Sequence, residues 1–143
     1  MAKAYYSTVF TQSGDAVWSM IRDFGDYRVW IAGIDESIVE NGKPGDAVGA
    51  IRKVTMGERV IRQQLLAHSD LERTYSYNFC PPSPLPVADY LATIKVTPVT
   101  DGDHALVEWW ATFDCAPDQA AHWSAFYAKS FAEWLGSLRR RLD

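Results

Sequence analysis

The chain has 143 residues, a net charge of −4 and an isoelectric point near 5.3, which suits one domain, 1–143, with a sizeable core. Positive charge clusters only at Arg139, Arg140 and Arg141, at the end of a helical segment where cations complement the helix dipole, so no nucleic-acid surface is expected. Cys80 and Cys115 belong to no paired motif, which excludes a cysteine zinc site; with no signal pattern and no run of roughly 20 apolar residues, a reduced, cytoplasmic protein without a membrane span is expected.

Residues 3–11 alternate weakly, with Tyr5, Tyr6, Val9 and Phe10, and read as a strand. Ser13 is a helix cap with Asp15 in the first turn; Val17, Ile21 and Phe24 repeat at helical spacing and Gly25 closes the helix. A second short helix is predicted over Tyr27 to Ile31. The run Asn41-Gly42-Lys43-Pro44-Gly45-Asp46 is turn chemistry, and strands follow it or flank it at 37–41, 48–56, 58–68, 72–80, 88–98 and 105–115. Gly57, Asp70 and Asp101-Gly102-Asp103 mark short turns, so consecutive strands pair antiparallel. Pro81-Pro82-Ser83-Pro84-Leu85-Pro86 interrupts the sheet, either as a loop lining a pocket mouth or as a rigid connector. From Asp118, Trp123, Tyr127, Ser130, Phe131, Trp134, Leu138 and Leu142 recur every three or four residues, an amphipathic helix of about 24 residues.

The order is strand, two helices, six strands, long helix: an α+β arrangement. Within it, Phe10 through Trp18, Asp23-Phe24, Trp30, Gly49 to Val54, Gly57, Leu85-Pro86-Val87, Tyr90, Thr93 and Val107-Glu108-Trp109 stand in the order and spacing of a known pattern. The chain resembles the polyketide cyclase/dehydrase family of the START-like, birch-allergen-like (SRPBCC) superfamily, over nearly its whole length. The resemblance implies a helix-grip fold, a curved seven-stranded antiparallel sheet closing on the C-terminal helix around a cavity for an apolar ligand. Plant abscisic-acid receptors share the broad pattern, but the lysine that anchors their ligand has no match here. Where many relatives carry Glu-Arg-Leu in the third strand, this chain has Gln63-Gln64-Leu65, so an amide stands in place of a carboxylate.

By that comparison and by strand alternation, Arg52, Val54 and Met56 face inward, then Gln63 and Leu65, Tyr75, Tyr77 and Phe79, Tyr90, Ala92 and Ile94, and Glu108, Trp110 and Thr112. Trp123, Tyr127 and Ser130 close the cavity from the helix, and Trp30 sits near its mouth. The opposite face of the last strand, with Val107, Trp109 and Phe113, is also apolar, and a bulge would exchange the two. The set combines apolar walls with a few polar groups, as a ligand pocket requires.

Arg52 and Glu108 form either a structural salt bridge or a working pair. In the second case Arg52 binds an anionic or carbonyl group and Glu108 acts as a general base in apolar surroundings. Tyr77 and Tyr90 either bond a ketone or phenol oxygen or serve as core tyrosines. His68, His104 and His122 are not expected to converge on a metal, and no phosphate-binding glycine loop is present, so no cofactor is expected. The expected function is binding of a small hydrophobic, lipid-like or amphipathic molecule as carrier or sensor; the alternative is a cyclase or dehydratase acting on a ketide-like or aromatic substrate. A third option is a module that binds a partner protein when ligand is present. A homodimer through the sheet edge or an outward patch of Trp109 and Phe113 is possible on the same grounds.

Overall fold

The computed structural model describes residues 1–143. Strand β1, Ala2–Phe10, leads into helix α1, Gly14–Ile21, and a single-turn helix α2, Tyr27–Trp30. Six strands follow: β2 Glu36–Val39, β3 Ile51–Met56, β4 Arg59–Ser69, β5 Thr74–Phe79, β6 Ala88–Val99 and β7 His104–Asp114. A 3₁₀ turn at Pro117–Gln119 opens helix α3, Ala120–Leu142. All strand pairs are antiparallel and the sheet order is β1-β7-β6-β5-β4-β3-β2, so the last strand returns beside the first. This is the expected helix-grip architecture.

Local chemistry sets the turns. The Ser13 hydroxyl accepts from Ala16 N at 3.1 Å and starts α1, satisfying one of the helix's unpaired amides. The helix stops at Ile21, a turn before Gly25, because the next amides are taken elsewhere. Phe24 N donates to Gly45 O at 2.9 Å and Gly25 N to Asp23 Oδ1 at 2.8 Å. Gly57, at φ +60, turns β3 into β4 in a conformation that a side chain disfavours.

Helix α3 has 23 residues, about 35 Å of length, and lies across the inner face of the sheet. Tyr127, Phe131, Leu135 and Leu138 are its buried positions, and Phe131 stacks on Trp109 of β7 at 4.7 Å. Its end is tied down by Arg139, which donates to Val9 O at 3.0 Å and Thr8 Oγ1 at 2.7 Å and lies over the Phe10 ring. Arg139 is thus a structural clamp as well as a helix-end cation. On the far side, α1 is pinned by Asp70 in the β4–β5 turn, which accepts from Trp18 Nε1 and Arg22 Nε, both at 2.9 Å.

The core is a cluster of 29 buried apolar residues drawn from both the sheet and the helices. Trp109 and Phe113 belong to it, each fully buried, which corrects the expectation that they form an outward patch. No helix is long and apolar enough to cross a membrane.

Candidate functional site

On the inner face lies Arg52 of β3, one strand in from the β2 edge and fully buried. Its Nε donates to Gln63 Oε1 at 3.0 Å, its second terminal nitrogen donates to the same oxygen, and the first donates to Phe24 O at 3.0 Å. Strand pairing makes this contact inevitable, because Arg52 and Gln63 are direct partners in the β3–β4 ladder. The guanidinium is flanked by aromatic rings. Its carbon is 3.8 Å from the Phe24 ring centre and 3.4 Å from that of Tyr27, with Tyr77 at 5.1 Å. No carboxylate comes within salt-bridge distance of it.

Beside this cluster opens a cavity of about 80 Å³, with thirteen of its seventeen lining residues hydrophobic. Val54, Met56, Gln63, Tyr77, Phe79, Tyr90, Tyr127 and Ser130 line it, as the sequence led us to expect. Arg52 does not; it lies behind Gln63. At the rim are Arg59, the first residue of β4, Pro84 and Leu85 of the proline-rich loop, and Phe126 of α3. The proline-rich segment therefore takes the mouth-lining role of its two options.

The polar groups of this region are mostly hydroxyls. Trp109 Nε1 donates to the Tyr77 hydroxyl at 3.2 Å, which leaves the Tyr77 proton free to donate. The hydroxyls of Tyr27 and Tyr127 are buried without a hydrogen-bond partner. Burial pushes Tyr27, Tyr77 and Tyr90 far above the ordinary phenol range, and Tyr75 and Tyr127 also upward, so all stay protonated. Seven buried polar side-chain atoms lack a partner within the protein, and two of them, these hydroxyls, belong to residues that line the cavity.

Besides Arg52, four more expected site residues lie elsewhere: Trp30, Glu108, Trp110 and Trp123. Strand β7 runs without a bulge against β1, so Ala105, Val107, Trp109, Ala111 and Phe113 all face inward and are buried. Glu108 and Trp110 therefore point to the outer face, where the Tyr5 hydroxyl donates to Glu108 Oε2 at 2.7 Å. That contact raises the Tyr5 hydroxyl above its usual range. The signal was present: the odd positions of β7 carry no charge, and a central strand buries its uncharged face. The Arg52–Glu108 pair, structural or catalytic, does not form. Trp30 is buried one layer back, edge-on to Tyr27 at 5.4 Å, and Tyr27 takes the position beside the cavity. Trp123 packs edge-to-face on Phe126 at 5.4 Å and does not reach the lining.

The sequence reasoning missed Tyr27, Ile31 and Ile34, the rim residues Arg59 and Phe126, and Ile61 and Trp134. Trp134 was already on the apolar stripe of the last helix; Tyr27 and Ile31 were within the second short helix but unassigned. The histidines stand apart. His68 meets Asp70 Oδ1 at 3.2 Å, His104 meets Thr11 O at 3.1 Å, and His122 packs on Trp123.

Comparison with known proteins agrees with this architecture. The family model described as "Polyketide cyclase / dehydrase and lipid transport" matches residues 1–143. A solved structure from Bacillus thuringiensis is 27% identical, covers 99% of this chain and 100% of its own, and superposes with a TM-score of 0.83. One from Thermobifida fusca is 26% identical, covers 99% and 93%, and gives 0.88. The di-domain ARO/CYC protein BexL of the BE-7585A biosynthetic pathway is 15% identical, with 99% of this chain on 46% of that one and a TM-score of 0.82, a likeness of fold alone. No curated protein matches the sequence.

Proposed function

Since the chain belongs to the polyketide cyclase/dehydrase and lipid transport family, we propose that it binds a small hydrophobic or amphipathic molecule in the cavity between sheet and α3, as a carrier or sensor. One observation carries this reading: a largely apolar cavity flanked by the buried, partnerless hydroxyls of Tyr27 and Tyr127. An apolar wall with a few placed hydrogen-bonding groups suits a ligand whose polar end is small. The two cysteines, both free, fit a reducing compartment such as the cytoplasm.

The cavity as it stands is smaller than the roughly 150 Å³ that accommodates benzene in an engineered apolar core. A ring-sized ligand therefore enters by displacing rim side chains. Phe126, 40% exposed, and Leu85 are the ones with room to move outward.

The second reading is a cyclase or dehydratase. In its favour, Gln63 and Tyr77 are donors able to polarise a carbonyl. Against it, no Asp, Glu, His, Lys or Cys lines the cavity, and Glu108 is on the other face of the sheet. A reaction that needs a carboxylate, imidazole, amine or thiol base finds none in the lining, which supports the carrier reading.

Native mass spectrometry of freshly purified protein, followed by denaturing extraction, tests the proposal. A stoichiometric small molecule is the expected result. An empty protein whose melting temperature also fails to rise with any member of a broad hydrophobic library would overturn it.

A further inference from the structure

Arg52 carries a positive charge into the core with no acid to meet it. Its two acceptors, the Gln63 amide oxygen and the Phe24 carbonyl, are neutral, and so are the rings on either side. An uncompensated charge in a low-dielectric interior is costly, and its field is weakly screened there. No acid forms an ion pair with it: Asp23 accepts from Gly25 N, and Glu40 pairs with Arg62 at 2.8 Å.

Arginine offers no acceptor, so Gln63 must present its oxygen to Arg52. Its NH₂ is therefore turned the other way, and Gln63 lines the cavity while Arg52 does not. A neutral amide thus relays the buried charge as a hydrogen-bond donor. Tyr77 adds a second free donor, and the hydroxyls of Tyr27 and Tyr127 await partners. At the rim, Arg59 has no ion pair. The lining holds a cation and no anion.

We propose that the cavity selects an acid: a small hydrophobic molecule whose carboxylate accepts from the Gln63 amide and supplies the counter-charge that Arg52 lacks. Gln63 is the specificity-determining contact and Arg52 a positioning residue that never touches the ligand. This rests on the ligand-binding reading above and names the chemical class of what is bound. A glutamate at position 63 would give Arg52 its counter-ion from within the protein and remove the donor. The same pocket would then favour neutral or cationic ligands.

The test is isothermal titration at pH 7.5 with cinnamate, cinnamyl alcohol and cinnamylamine, one frame in anionic, neutral and cationic form. The chain's net charge of −4 favours the amine at long range, so the overall field alone gives the opposite order. Wild-type protein is expected to bind cinnamate at least about tenfold more tightly than cinnamylamine, a difference of about 1.4 kcal/mol. In Gln63→Glu that preference is expected to vanish or reverse, while the melting temperature holds or rises as the new ion pair forms. A purely structural Gln63 would not change the charge order. Wild-type binding with no preference for cinnamate overturns the acid selectivity, and a preference that survives Gln63→Glu overturns its assignment to Gln63; both leave cavity binding intact. Failure of all three compounds and of a wider hydrophobic library overturns both. The wild-type series stands alone if the variant does not fold.

Discussion

Asp70 accepts hydrogen bonds from Trp18, from two nitrogens of Arg22 and from His68, all of them from outside its own turn or at its base. Arg22, then Trp18, holds its carboxyl well below the usual carboxylate range. A carboxylate with a depressed folded-state value adds stability above its unfolded value and loses it as pH falls. That window opens below about pH 4, the ordinary titration range of Asp. Its side chain is half exposed, so solvent screening limits the effect. Urea unfolding of wild type and Asp70→Asn between pH 7 and pH 2.5 should show curves that are apart at neutral pH and converge below about pH 4. Parallel curves would mean that the Asp70 contacts contribute no pH-dependent stability. Asp70 was legible in the sequence as a turn residue. Its second role, pinning a helix 48 positions earlier in the chain through Arg22, was not, because nothing in local spacing shows which turn a helix rests on.

Strand β7 shows where element-scale reasoning succeeds and where it stops. Its position was legible from its apolar run and from the Asp101-Gly102-Asp103 turn before it. Its facing was not settled, since Trp109 and Trp110 are neighbours and both large. Pairing of Tyr6 with Trp109 and Ala4 with Ala111 in the β1 ladder places the odd positions inside. Trp109→Ala is therefore expected to cost about 3–5 kcal/mol, the range for truncating a buried large aromatic. Trp110→Ala, on the outer face, is expected to stay within about 1 kcal/mol. Guanidinium denaturation of the two variants checks this, and equal losses would return Trp110 to the core. Helix α3, by contrast, was legible almost to its ends. Its stripe at Tyr127, Phe131, Trp134 and Leu138 has the 3.6-residue period that only one face of a helix can satisfy.

At the scale of the whole molecule, the cavity lies where β3, β4, β5 and β6 meet α2, α3 and the proline-rich loop. Filling it separates binding from stability. Val54 is 3% exposed and lines the cavity, so Val54→Phe places a ring in the open volume. The apo melting temperature is expected to hold within about 4 °C, a change on the order of 1 kcal/mol for a domain of this size. Stabilisation by any ligand that binds wild type is expected to disappear. Ligand-dependent thermal shifts measured on both proteins check the outcome; a variant that still responds fully would place the binding site elsewhere.

Element order and antiparallel pairing could be read directly from the chain, because periodicity, caps and turn residues act between neighbours in sequence; the helix-grip arrangement followed from the family resemblance. Much of the cavity wall on β3 to β6 and α3 was also legible, where alternation and the resemblance together fixed the face. Three-dimensional packing was needed for the rest. It put Arg52 behind the lining, turned the Gln63 oxygen onto Arg52, exchanged Trp30 for Tyr27, and sent Glu108 to the outside. Each of these depends on the register between strands distant in sequence or on the layer in which a ring comes to rest. Those are properties of contacts between elements, and no local pattern of residues encodes them.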